Sequence, residues 1–318
     1  MFLRRNTKMK TGVLTAVILM AGGALVFGDT LINESFSGNT VPSGWVFNGK
    51  ESANHNSLTT GVNKANSDWF VNENGTNFLR LTEQTYNQRT TAIYTNSTFR
   101  SDRSFTIRSD VRVTSPAGNN GADGISFFWL KADTVINVNT TIGGMGGWQG
   151  APRGAITGTT GSGNTLSEAG YYSGLKGYSF EFDHYNNTGE KYIEYNHLVR
   201  LEDWVHLSGA SIDHSTDLNF YEDNGWQTIQ FSYNADSDEF TVSWGFNGST
   251  FASNVTYSVT TEKFDQAYFG IGAGTGGQIA AHDIKNITFT GVIPEPATAM
   301  LLAVGGAVAW LARFKQRF

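Results

Sequence analysis

The chain contains no cysteine, only five prolines and six histidines in 318 residues, and only 16% charged side chains. Without cysteine there is no disulfide scaffold, no thiolate-bound zinc or iron–sulfur site and no cysteine nucleophile. A chain without disulfides holds together by burial, hydrogen bonds or a bound ion. No proline-rich linker, charge block or repeat of roughly 20–50 residues divides the chain. What is abundant is apolar and aromatic material, 39% and 13% of residues, together with 37 glycines. That composition excludes intrinsic disorder as the main state and suits one large β domain.

The two ends differ from the body. Residues 1–28 carry Arg4, Arg5, Lys8 and Lys10, then an apolar run from Val13 to Phe27, with Val26 and Gly28 as small cleavage positions before Asp29. This is the layout of a cleavable secretory signal peptide. Residues 292–318 hold Pro294-Glu295-Pro296, an apolar stretch from Ala297 to Ala312, and Arg313, Lys315 and Arg317. Sixteen apolar residues are short for a membrane-spanning helix, although basic flanks allow a thin crossing. The tripeptide, apolar helix and basic tail resemble the PEP-CTERM sorting signal of Gram-negative bacteria. That resemblance implies exosortase processing and delivery to the cell surface or extracellular matrix, with membrane contact only through the terminal segments.

Seven of the 22 Lys and Arg residues and none of the 28 acids lie in residues 1–28 and 297–318, so residues 29–296 carry 15 minus 28, a net charge of −13. Such a body repels nucleic acid and anionic membrane and is compatible with hard cations.

From Asp29 to Gly291 short alternating runs are broken by Gly, Asn, Asp and Ser. Strands are expected at Ser104–Val113, Gly124–Leu130, Gly177–Asp183, Trp226–Tyr233, Phe240–Phe246, Ala267–Ala273 and Asp283–Thr290. The first of these is expected to bend or bulge near Ser109. With no helical periodicity between the ends, the pattern predicts an all-β, antiparallel jelly-roll sandwich over residues 29–291.

The most informative segment is Tyr178-Ser-Phe-Glu181-Phe-Asp183-His184-Tyr185-Asn186-Asn187. Strand alternation puts Glu181 and Asp183 on one face and Phe180 and Phe182 on the other. Neighbouring carboxylates repel unless a cation lies between them. Calcium would do so, with Asn187 and a carbonyl near Tyr185 completing an oxygen shell, and His197 adds a nitrogen for manganese or another transition metal. The same pattern fits a solvent-facing strand with two acids.

Further motifs flank this segment. Gly121-Ala-Asp123-Gly124-Ile-Ser-Phe-Phe-Trp-Leu130 precedes it, and Phe269-Gly-Ile-Gly-Ala-Gly-Thr-Gly276 with His282-Asp-Ile-Lys-Asn-Ile-Thr-Phe289 follows. In this order, with Glu181–Asn187 and Asn196-His197, they resemble the signatures of the L-type, legume-like lectins, whose fold is a concanavalin-like jelly roll. The resemblance implies non-covalent carbohydrate binding, to an exopolysaccharide or glycan. It implies that Asp123 accepts sugar hydroxyls, that Gly147 or Gly144 offers a backbone N–H, and that Asn187 serves both calcium and sugar. Within Gly272–Gly276 it implicates Ala273, Thr275 and Gly276 in sugar selection. Glu181, Asp183, Tyr185 and His197 match metal-ligand positions, and His282 matches a structural one.

One departure concerns a second metal-bridging aspartate, which the family carries between its asparagine and histidine. Residues 188–196 contain none, and Glu190 or Glu194 is left to substitute. The alternative that this favours is a structural matrix protein with a lectin-like fold and no working sugar site. Laminarinase-like glycoside hydrolases share the architecture but need two carboxylates about 5–5.5 Å apart, and Tyr185 and Asn186 stand where the second would be. The expectation is therefore a binding protein and not an enzyme. Among the tryptophans, Trp129, Trp226 and Trp244 read as core, while Trp148 and Trp204, in loop-like segments, are the better candidates to stack on a sugar, with structural packing the alternative for both.

Overall fold

The computed structural model describes residues 29–51, 62–63, 69–116, 123–133, 153–154, 171–172, 176–183, 198–203, 225–246, 253–258 and 261–292. Within them the chain forms β1 (Asp29–Glu34), β2 (Trp45–Glu51), β3 (Val62–Asn63), β4 (Phe70–Glu73), β5 (Thr76–Thr82) and β6 (Gln88–Phe99). There follow β7 (Phe105–Thr114), β8 (Gly124–Lys131), β9 (Arg153–Gly154), β10 (Tyr171–Tyr172), β11 (Gly177–Asp183) and β12 (Leu198–Asp203). The last five are β13 (Gln227–Asn234), β14 (Glu239–Phe246), β15 (Ser253–Ser258), β16 (Ala267–Gly274) and β17 (Ala281–Gly291). No α-helix occurs among the described residues.

Two sheets make the sandwich. One runs β15-β14-β13-β7-β17-β5-β4, with β1 also paired to β17, and the other runs β12-β11-β8-β16-β6-β2-β3. The short β9 and β10 pair in parallel as a separate ribbon. Strands distant in sequence lie side by side in both main sheets, as the predicted jelly roll requires.

The inward faces meet in an aromatic core. Phe180 of one sheet stacks on Phe231 of the other at 4.3 Å between ring centroids. Trp129 packs against Phe105 and Phe240, and Phe269 against Phe289. Each such ring removes a large apolar area from water, and offset or edge contacts add about 0.5–1.5 kcal/mol per pair.

All seven expected strands are present, with ends shifted by a few residues. The expected distortion near Ser109 lies instead on the partner strand. In β7 every odd position from Phe105 to Val113 is buried, Ser109 included, so that strand alternates without interruption. The register shift falls on β17 between Lys285 and Thr288, around Asn286 with φ of 52°. The Ser109 hydroxyl donates to the carbonyl of Lys285 at 3.2 Å, which satisfies a buried polar group beside the bulge.

Trp129 is a core residue, as expected. Trp226 is not: it is only partly buried and meets the edge of Phe78, with the side chains of Arg112 and Lys285 over its ring. The side chain of Trp244 and all of Trp148 and Trp204 lie outside the described residues, as do both terminal segments.

Candidate functional site

Four adjacent strands line up their ends on one side of the β8-containing sheet. Gly124 opposes Asp183 on β11 and Gly274 on β16, and Gly274 in turn opposes Arg89 on β6. One residue beyond that row stand Asp123, Thr275 and Gln88. The N–H of Asp123 donates to the carbonyl of Gly274 at 2.8 Å, and the N–H of Thr275 donates to the carbonyl of Gln88 at 2.9 Å. Pairing thus continues past the ends of the strands and fastens the backbone of Asp123 to the start of the loop after β16. Asp123 is 6% exposed, so its charge sits in a poorly hydrated position where hydrogen bonds are strong.

The loop after β16 is fastened to the turn between β5 and β6. The Thr275 hydroxyl donates to the carbonyl of Thr85 at 2.8 Å and accepts from the N–H of Gln88 at 2.9 Å. The Asn87 N–H reaches the Gly276 carbonyl at 3.4 Å. At the base of the loop, the Thr82 hydroxyl donates to the carbonyl of Ala280 at 2.9 Å and lies 2.6 Å from Nδ1 of His282. His282 is fully buried, and desolvation pushes its pKa down to about 3, so the ring is neutral and its part is structural.

This geometry revises which loop residues can meet a ligand. Ala273 and Thr275 are fully buried and Gly276 is buried, because they continue the sheet and carry the fastening contacts. The accessible members are Gly277, exposed, and Gln278, half-buried, neither of which the sequence motif singled out. The sequence reading also missed the turn at 83–88. Its only local signal is the polar run Thr82-Glu-Gln-Thr-Tyr-Asn87, which looks like any surface turn.

Glu181 and Asp183 occupy register positions on β11 opposite Ser126 and Gly124, alternating with the inward Phe180 and Phe182. Asp183 therefore ends its strand next to Gly124, one residue from Asp123. The remaining expected ligands, Gly144, Gly147, Tyr185, Asn187, Glu194 and His197, lie outside the described residues. Among the described residues no group of three His, Asp or Glu side chains is gathered to hold a metal ion.

A cleft of about 570 Å³ opens elsewhere, on the outer face of the other sheet, between Glu73, Arg80, Glu83 and Arg112. Its floor is an ion-pair network. Buried Asp283 accepts from Arg80 Nε at 2.7 Å and from Arg112 Nη2 at 2.7 Å, and Arg112 also pairs with Glu73. Desolvation opposes the charge on both guanidiniums, but the hydrogen bonds and charges of Asp283 and the neighbouring glutamates more than offset it and raise their pKa values. These contacts brace β5, β7 and β17 together, and the edge holding Asp123 is the better candidate for recognition.

No family model matches the chain, and no curated protein matches it. Solved structures do. The lectin of Bauhinia forficata in complex with GalNAc superposes with a TM-score of 0.52 at 16% identity, covering 85% of this chain and all of that one. The winged bean acidic lectin complexed with methyl-α-D-galactose gives 0.53 at 17%, with the same coverage. The exoplasmic/lumenal domain of VIP36, in a metal-free form, gives 0.50 at 15%, covering 85% of this chain and 95% of that one. The fold is the legume-lectin jelly-roll sandwich.

Proposed function

We propose that this is an exported, surface-directed carbohydrate-binding protein with no catalytic role, acting in matrix assembly or surface adhesion. The observation that carries this reading is the meeting of Asp123, the loop after β16 and the end of β11 at one sheet edge of a legume-lectin fold. Asp123 accepts sugar hydroxyls, Gly277 and Gln278 offer polar groups beside it, and a backbone N–H from Gly144 or Gly147 completes the set. Preorganisation through Thr275 keeps the entropic cost of binding low. The GalNAc and galactose complexes of the similar plant lectins make those two sugars the first to try.

The oxygen-rich set at Glu181, Asp183, the Tyr185 carbonyl and Asn187, with Glu194 in place of an aspartate, suits calcium, and His197 suits manganese or another transition metal. Positions 181 and 183 fall on the strand side opposite Phe180 and Phe182, which fits such a site. When bound, the ion supplies a fixed positive charge that holds the segment after β11 in place. The signal peptide directs export, and an exosortase processes the chain near Pro294-Glu295-Pro296.

A second reading, a structural matrix protein without a working sugar site, is favoured by the lack of an aspartate between Asn187 and His197. Two experiments on the full chain separate them. Retention on immobilised galactose or polysaccharide, with release by free sugar, is expected of the lectin. Calcium is expected to raise its melting temperature, whereas a dead site shows no such linkage.

A further inference from the structure

Tyr86 is 56% exposed and is the only exposed large hydrophobic side chain among the described residues. Its position is at the tip of the turn that Thr275 fastens to the candidate sugar site, between Thr85, whose carbonyl accepts from the Thr275 hydroxyl, and Asn87, whose N–H reaches Gly276.

We propose that Tyr86 forms an outer subsite, in which its ring stacks on the second or a later residue of a neutral oligosaccharide whose first residue is held at Asp123. The inference rests on the carbohydrate-binding reading above and adds the length and charge of the ligand to it.

Three observations support it. The first is rigidity. An exposed aromatic ring gains little from stacking if its turn must be ordered first, and this turn is already ordered. Asn87 is in the left-handed region with φ of 56°, the Thr85 N–H donates to the Glu83 carbonyl at 2.8 Å, and the Gln88 side chain accepts from the Glu83 N–H. The second is distance. Gln88, Thr275 and Asp123 lie on three adjacent strand ends, so Gln88 and Asp123 are about 10 Å apart at the usual strand spacing. Tyr86, between Thr85 and Asn87, belongs to the turn bonded to one side of the 274–276 segment, whereas Asp123 is bonded to the other side.

The third observation is chemical. Neither the 83–88 turn nor the 274–280 loop contains Lys or Arg, so nothing there attracts an acidic saccharide. The negative face of an aromatic ring instead suits the C–H face of a neutral sugar.

The test compares full-length wild type, Tyr86→Ala, Tyr86→Phe and Asp123→Ala on a glycan array. The array carries galactose, N-acetylgalactosamine, glucose and mannose, their linear oligomers of two to four residues, and uronic acid oligomers. Wild type is expected to prefer neutral oligomers to the matching monosaccharide. Tyr86→Ala should lose about five- to tenfold on the oligomers alone. Tyr86→Phe should keep the preference, and both variants should melt with wild type.

Equal binding of monosaccharide and oligomer, a preference for uronic acids, or oligomer binding unchanged by Tyr86→Ala overturns the subsite while leaving an Asp123-dependent lectin intact. Folded wild type that binds nothing on the array overturns the carbohydrate-binding reading and the subsite with it.

Discussion

The N–H of Asp123 donates to the carbonyl of Gly274 at 2.8 Å, so the carboxylate that enters β8 and the loop that leaves β16 are held as one unit. That link places a nearly buried acid at the start of the loop that carries the accessible Gly277 and Gln278, and it depends on strands 150 residues apart in sequence being neighbours in the sheet.

Thr275 is the fastener of this edge. Thr275→Val keeps the shape and removes the hydroxyl that serves both Thr85 and Gln88. Leaving the Gln88 N–H without its acceptor in a buried position should cost about 1–3 kcal/mol in urea unfolding. Sugar affinity should fall as well, because the turn and loop are no longer held together.

Asp283 should matter for stability and not for binding. Its side chain is wholly buried between Arg80 and Arg112, which are 20% and 15% exposed. Asp283→Ala leaves two guanidiniums largely buried without their shared partner, and a loss of about 3–5 kcal/mol is expected in urea unfolding. Carbohydrate affinity of the folded fraction should be unchanged.

Gly270 lies directly opposite Phe128, and a Cβ there would stand 2.2 Å from the Phe128 ring. Phe128 is fully buried on the sheet face away from the main core. Gly270→Ala therefore forces the ring to move in a packed setting, and about 1–3 kcal/mol of destabilisation is expected by thermal or urea unfolding.

His282 gives a pH signature. Its pKa falls from 6.5 in the unfolded chain to about 3 in the folded one, because burial disfavours the charged ring. The unfolded state then binds more protons between these values, so the contribution is fully present above pH 6.5 and is lost as pH falls towards 3, at up to about 1.4 kcal/mol per pH unit. Between pH 6.5 and about 4.5 most carboxylates are still ionised and histidine dominates. Urea unfolding of wild type should weaken across that window, and His282→Gln should flatten the slope.

The sequence made some of this legible and hid the rest for physical reasons. Strands β7, β13 and β14 announce themselves by alternation, since one face meets the core and the other does not. The stretch Gln88–Ile93 of β6 is buried on both faces, with Gln88, Arg89, Thr90 and Thr91 inside. A polar run buried on both sides has no period to read, and that strand was not expected. Trp226 directly precedes β13, but its ring packs with Phe78 on an outer face, a placement that only the tertiary structure decides. Asp123 was singled out by a motif. Tyr86 was not, because its place beside the loop after β16 comes from the contact between Thr85 and Thr275, 190 residues apart.

The most direct test of carbohydrate binding at this edge is to apply wild type and Asp123→Ala side by side to a broad glycan array, in calcium and manganese and again with chelator. Binding by wild type that Asp123→Ala reduces at least about tenfold, with both proteins folded, is the predicted result, since a hydrogen bond to a charged group contributes about 1.5–3 kcal/mol. Silence from folded wild type, or binding indifferent to Asp123, would contradict the account.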